Sequence, residues 1–312
     1  MQLYRAVIQP VMSFSSLPQG DTLFGAFCWS YRYYYGEEKL EEMLRGMVCG
    51  EPNIVFSNAF PSGTLPMPLG IRDTEADFEN IEVKAERKKA YQEHKKIKSA
   101  RFIEREWFEK IKEGDYAGFT KGLRDDGTKE QTVMHNLVSR QENIVKRIDD
   151  SGNLFEEDEL FTKEDTVFDV YILSSLDETC LKDVFSLMLM LGIGKNKSTG
   201  KGAFRLLEWH EETELMNVKR SNAFVALSNF VPAERDPVRG SYKTLVKYGK
   251  LDREYAASDE PFKKPVMFLQ AGAVFEDSEV RAYYGRCLEH ISVRDNVVIN
   301  AHTIALPMWL NL

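Results

Sequence analysis

The segment Gly192-Ile-Gly-Lys-Asn-Lys-Ser-Thr-Gly-Lys-Gly-Ala-Phe204 constrains the fold of this chain more than any other. Residues 181–191 before it carry apolar side chains at helical spacing, and residues 203–209 after it alternate as a strand. Gly192, Gly194, Gly200 and Gly202 permit positive φ and close approach of another backbone. Lys195, Lys197 and Lys201 add positive charge, and Asn196, Ser198 and Thr199 add polar groups. These are the ingredients of a phosphate cradle. A nucleotide P-loop is excluded by spelling, because Gly194 and Gly200 enclose five residues and Gly202 follows Lys201 where Ser or Thr is required. Polarity excludes it as well, because a P-loop or dinucleotide loop runs from strand to helix, and this one runs from helix to strand. Two readings remain: a loop that closes a ferredoxin-like unit and lies across a nucleic-acid backbone, or a solvated connection.

The rest of the chain supplies that unit. Residues 2–9 alternate as a strand. Asp21 is placed to cap a helix over 22–35, in which Gly25 allows close packing on a sheet. A second helix is predicted over 37–47 and a strand over 54–60. Residues 78–148 are highly charged and read as an insertion. Beyond them follow a strand at 167–173, the helix at 181–191 and the strand at 203–209. With the insertion removed, the order is β-α-β-β-α-β. Strands predicted at 223–227, 242–248, 266–271 and 297–306 give residues 211–312 a strand-rich character with little helical signal. The expectation is an α+β protein, with a domain over 1–210 and a second over 211–312.

The formal net charge is −8, but it is unevenly distributed. Residues 84–112 contain eleven Lys and Arg against five Glu, whereas Glu37, Glu38, Glu41 and Glu42 form an acidic run, as do residues 156–159. Screening over about 8 Å at physiological salt lets a basic strip grip a polyanion while distant acidic faces meet protein. Cys28, Cys49, Cys180 and Cys287 lie far apart and form no Cys-x-x-Cys pair, so they read as buried thiols without disulfide or zinc. No run approaches the roughly 20 apolar residues of a membrane span, and the N-terminus reads as a strand, so the expected location is cytoplasmic.

The glycine-rich segment resembles the signature of the RAMP superfamily, RNA-binding proteins of CRISPR ribonucleoproteins. Three further stretches resemble one branch of it. They are Leu17-Pro-Gln-Gly-Asp-Thr-Leu-Phe-Gly-Ala-Phe27, Met134-His-Asn-Leu-Val-Ser-Arg140 followed by Gly152-Asn-Leu-Phe-Glu156, and Lys95-Lys-Ile-Lys-Ser-Ala-Arg-Phe102. In this order they are similar to the subunit that caps the guide-RNA 5′ handle in type III-A (Csm) interference complexes. The resemblance covers most of residues 1–210. It implies two ferredoxin-like (RRM-like) domains, the second degenerate, and an inserted basic thumb segment in the first. It also implies contacts with the 5′ handle, a large cyclase-bearing subunit and a repeating backbone RAMP subunit, with target RNA met only indirectly. The expected RNA-binding residues are 192, 194–202 without exception, and also His135, Asn136, Arg140, Lys95, Lys96, Lys98 and Arg101.

Catalysis is the competing reading. Some relatives of this fold cut precursor RNA without metal, which needs a general acid or base beside the 2′-hydroxyl and a cation for the developing charge. Among His94, His135, His210, His290 and His302, only His135 has suitable neighbours, Asn136 and Arg140. His94 reads as a surface group, His290 as part of a helix-like stretch, and His302 as a core or edge histidine in a strand. The acidic runs at 156–159 and 211–214 read as exposed, with no His at ligand spacing, so no metal site is expected. The expectation is a non-enzyme without cofactor. The alternatives are a metal-independent endoribonuclease using His135 and a protein-binding scaffold.

Overall fold

The computed structural model describes residues 1–71, 95, 97, 99–136 and 154–311. Strand β1 (Gln2–Pro10) leads through a connection to helix α1 (Gly20–Tyr35), then to α2 (Glu37–Val48) and the short strands β2 (Ile54–Phe56) and β3 (Phe60–Pro61). The chain then leaves the central sheet for β4 (Thr64–Pro66), β5 (Phe102–Glu104), α3 (Arg105–Lys112), β6 (Leu123–Arg124), β7 (Thr128–Asn136) and β8 (Leu154–Thr162). It returns as β9 (Phe168–Ser174), α4 (Glu178–Leu191) and β10 (Phe204–Glu211).

The sheet order β10-β1-β9-β2 is antiparallel throughout, and β3 also pairs with β9. Taken in chain order, these four strands stand 4-1-3-2, the ferredoxin-like arrangement. Every residue of β9 is buried, as expected of an apolar strand inside a covered sheet. Helix α4 buries Leu181, Val184, Phe185, Met188 and Leu189, one stripe at 3.6-residue spacing, and its first turn is capped by Asp177 accepting from the Cys180 N–H at 3.0 Å. Two local expectations for α1 fail. Gln19, not Asp21, occupies its N-cap position, while Asp21 lies in the first turn and accepts from Lys247 at 2.6 Å. The glycine that lets α1 approach the sheet is Gly20, where a Cβ would stand 2.6 Å from the Phe56 carbonyl oxygen; Gly25 faces open space.

The excursion from the sheet runs from β4 to β8, longer than the charged stretch that marks it in the sequence. Strands β4, β5 and β6 form a small sheet, and β7 and β8 pair over their full lengths from Thr128↔Thr162 to Asn136↔Leu154. This pair is tied to the core by a bridge in which the Phe14 and Leu160 backbones exchange hydrogen bonds of 3.2 and 2.7 Å.

The C-terminal half contains β11 (Ala223–Ala226), β12 (Gly240–Ser241), β13 (Thr244–Lys247), β14 (Val266–Leu269), β15 (Val274–Glu276), β16 (Tyr283–Leu288) and β17 (Ile299–Met308). Its main sheet is ordered β12-β15-β11-β17-β16, with β13 and β14 paired separately. Among the described residues it has no α-helix. His290 sits in a turn at φ 53°, not in a helix. Leu215, Leu227, Ile304 and Leu306 join the core of the first half, so the two halves share one apolar interior. Arg105 of α3 adds a two-pronged pair to Glu212 at 2.7 and 2.9 Å. The four cysteines are free, but Cys49 is exposed and the others half-buried, less enclosed than their sequence surroundings suggest.

Candidate nucleic-acid interface

The glycine-rich loop is closed at its neck. The Ile193 N–H donates to the Gly202 carbonyl at 2.8 Å, and the Gly202 N–H donates to the Ser13 carbonyl at 2.9 Å. Gly202 has φ +71°, and a Cβ there would lie 2.1 Å from the Ile193 carbonyl oxygen; at Gly192 it would lie 3.1 Å from the Lys201 carbonyl oxygen. These two glycines serve internal packing, which corrects the expectation that Gly200 and Gly202 both admit a ligand backbone. Gly200, at φ +88° with open space beside it, retains that capacity. Between them, Asn196 in the left-handed region starts one 3₁₀ turn, Lys197–Thr199, and the Thr199 hydroxyl donates to the Asn196 carbonyl at 2.8 Å.

The three lysines differ in role. Lys195 is exposed and has no partner among the described residues. Lys197 is turned inward to an ion pair with Asp252 of the C-terminal half, and burial draws its ammonium below the ordinary lysine value against the pull of that pair. Lys201 reaches the inserted strand β8, where its ammonium pairs with Glu159 and lies 3.1 Å from His135 Nε2 and 3.7 Å from Glu157. The Ser13 hydroxyl donates to Glu159 at 2.6 Å, and Asn196 Nδ2 donates to Glu157 at 2.5 Å. Two of the lysines and Asn196 therefore brace the loop against its surroundings.

This brace overturns the reading of residues 156–159 as an exposed run without a histidine partner. The Glu159 side chain is only 5% exposed, and its carboxylate lies 3.1 Å from His135 Nε2. His135 lies opposite Phe155 and Glu159 opposite Gln131, so the two share one face of the β7/β8 pair and their side chains meet along the strands rather than across them; His135 also stacks on Phe155 at 5.4 Å. His135, Glu157 and Glu159 place ligand atoms within 4.8 Å of one another, a donor set able to hold a cation; the Lys201 ammonium supplies positive charge there. Burial pushes the Glu159 carboxyl up, but hydrogen bonds from Lys201, Ser13 and His135 outweigh it and lower its pKa to about 2.

A lowered carboxylate pKa stabilises the folded state above the unfolded value of 4.5, and that stability fades as pH falls toward 2. The shift corresponds to about 3 kcal/mol at neutral pH. In urea titrations, Glu159→Gln is expected to lower stability near pH 7, the gap narrowing below pH 4.5 and closing only as pH falls through about 2. An unchanging gap across that range would show that Glu159 does not act through its charge.

The remaining predicted contacts scatter. Lys96, Lys98 and Arg140 lie outside the described residues. Asn136 ends β7 opposite Leu154, and Lys95 is exposed. Arg101, with its side chain 66% exposed, lies 3.5 Å from Asp126 beside a cleft that the sequence analysis did not identify. His210 is exposed beside Glu208 at 3.0 Å. His302 is a core histidine, as expected: burial lowers its pKa to about 4, and Nδ1 lies 2.7 Å from Asn300 Oδ1.

The cleft encloses about 630 Å³ between the start of α1, the insertion and the C-terminal half. Phe60, Met67 and Phe102 line its apolar side, while Gln19, Asn58, Asn229 and Gln270 contribute amides, and Arg101 and Lys243 contribute positive charge. Its Ser15–Gln19 wall is continuous in sequence with Ser13, the residue that holds both Gly202 and Glu159. A Cβ on Gly194 would lie 3.5 Å from Ser15 Oγ, so the loop and the cleft meet along this short segment. The amides come from distant positions, and no local motif announces them.

The 4-1-3-2 sheet, the helix-loop-strand closure and the long inserted strand pair define an α+β protein with a ferredoxin-like central sheet. It is similar to solved structures along nearly its whole length. A chain in the crystal structure of a Csm1–Csm4 cassette in complex with cA4 is 20% identical, with 99% of each chain covered and a TM-score of 0.63. A chain in a Csm3–Csm4 subcomplex of the type III-A CRISPR-Cas interference complex is 14% identical, covering 99% of this chain and 100% of that one, with a TM-score of 0.60. No protein-family model and no curated protein matches the chain.

Proposed function

We propose that the chain is a non-catalytic, cytoplasmic RNA-binding subunit of a type III-A CRISPR interference complex. In this reading it holds the 5′ handle of the guide RNA, docks a large cyclase-bearing subunit and touches a repeating backbone subunit. Target RNA meets it only indirectly. The observation that carries this reading is the end-to-end likeness to chains in Csm1–Csm4 and Csm3–Csm4 assemblies, in which Csm4 is the component common to both names. The site supports it: the outer turn of the loop offers Lys195, Thr199 and Gly200, while its neck and brace hold that turn in a fixed shape. Single-stranded RNA suits such a surface because its backbone follows positive charge and its bases remain free to enter a cleft.

One observation favours the endoribonuclease alternative, because His135, Lys201 and Glu159 form the kind of cluster that acid/base cleavage of RNA uses. Against it, His135 Nε2 already faces both Glu159 and Lys201, and Lys201 is only 15% exposed, leaving little room for a ribose hydroxyl. Incubation of 5′-labelled repeat RNA with the full chain in EDTA tests both readings. Binding with the RNA intact is expected, and Lys195→Ala is expected to reduce the salt slope of binding by about 0.7, the value for one phosphate contact on a single strand. Cleavage abolished by His135→Ala would establish the enzyme instead.

A further inference from the structure

We infer that the cleft between the two halves is a base-reading pocket for one unstacked nucleotide of a single-stranded RNA, with Gln19 and Gln270 contacting the base edge. This rests on the RNA-binding reading above and assigns a separate task within it: the loop positions the backbone, and the cleft selects the base.

The cleft's size, about 630 Å³, falls in the range of about 300–1,000 Å³ typical of small-ligand sites, and it lies where the start of α1, the insertion and the C-terminal half meet. Its lining combines the two kinds of contact that a nucleobase requires. Phe60, Phe102 and Met67, themselves nearly fully buried, close the cleft with an apolar floor for a ring to rest against, and amides offer donors and acceptors to its edge. Lysine and arginine on a backbone track follow phosphate without regard to sequence, whereas an amide presents donor and acceptor in fixed order and so distinguishes bases.

The amides are also held in place. Asn229, only 4% exposed, donates to Gln19 Oε1 at 2.8 Å and accepts from the Ala271 N–H at 3.1 Å. Asn58 accepts from the Gly20 N–H at 3.0 Å, which fixes it to the start of α1. Gln270 donates through Nε2 to the Thr244 carbonyl at 2.9 Å. These bonds use one end of each glutamine amide. Among the described residues, Gln19 Nε2 and Gln270 Oε1 are left without a protein partner, one a donor and the other an acceptor. The cations are separate from this pair: Arg101 lies 3.5 Å from Asp126 and Lys243 is exposed, so both can serve phosphate beside the pocket.

The test measures binding of the full chain to 5′-fluorescein RNA octamers of A, C or U alone, and to a U octamer carrying one abasic site, each over a range of salt. The parent chain is expected to prefer one base by about tenfold, the scale of one paired base contact. Gln19→Met with Gln270→Ala is expected to bring the octamers within about twofold of one another without changing the salt slope. Arg101→Ala is expected to do the reverse. Thermal melting identifies a variant that has lost its fold, and Gln270→Ala alone, on a partly exposed residue, then provides the test by reducing the preference. An undiminished preference in folded variants, an equal loss for every octamer, or no preference in the parent chain would overturn the assignment while leaving RNA binding intact. Absence of binding to any octamer by the parent chain would remove the RNA reading together with it.

Discussion

Gly202→Val is expected to prevent stable folding, or to destabilise the chain by about 4 kcal/mol, while Gly200→Ala costs about 1 kcal/mol. Both residues have positive φ, +71° at Gly202 and +88° at Gly200, so a side chain is strained at either. They differ in what surrounds them. At Gly202 a Cβ meets the Ile193 carbonyl oxygen at 2.1 Å, backbone that is itself bonded to Gly202, so nothing nearby can move aside cheaply. At Gly200 the Cβ enters open space. Urea unfolding of the two variants separates the roles: equal stabilities would show that the neck is not packed as described. Gly200→Ala should also weaken RNA binding by more than its small cost to the fold explains, because the backbone approach it supports is to a ligand.

The second large effect is expected at Lys201. Lys201→Met leaves the Glu159 carboxylate buried without its main partner, and removing one member of a buried ion pair typically costs about 3–5 kcal/mol. The double variant Lys201→Met, Glu159→Gln removes the unpaired charge and should recover a substantial part of that loss. A double-mutant cycle in urea reads the coupling directly. Additive effects would mean that the two side chains do not act as a pair. The consequence reaches beyond stability, because Lys201 connects the glycine loop to β8. Loosening it should increase proteolysis within the loop and within the β7/β8 hairpin together.

The central sheet was legible in the sequence because its elements carry their periodicity locally. Leu181, Val184, Phe185, Met188 and Leu189 fix α4, and the fully buried run of β9 reads as a strand without any partner in view. The insertion's strands were not legible. β8 spells Leu-Phe-Glu-Glu-Asp-Glu-Leu-Phe-Thr, in which the alternation of a half-buried strand is hidden by four acids, and only Glu159 among them is buried. The same masking concealed the site's electrostatics, because Glu159 acquires its partners from Ser13, His135 and Lys201, far away in the chain. The glycine loop was recognisable as a loop, yet the division of labour within it depends on tertiary contacts. Gly200 and Gly202 look alike in sequence, and so do Lys195, Lys197 and Lys201. The amide cleft left no local trace, since Gln19, Asn58, Asn229 and Gln270 converge only when both halves are assembled.

The most direct test of the account is photocrosslinking of the full chain to a single-stranded repeat RNA carrying 4-thiouridine, with the attachment sites located by mass spectrometry. Cross-links are predicted in the outer turn of the glycine loop around Lys195 and Gly200, and along the adjoining Ser15–Gln19 wall of the cleft, with the RNA recovered at full length. Cross-links confined to the C-terminal sheet, or none at RNA concentrations that saturate binding, would contradict the assignment of this loop and cleft as the RNA site.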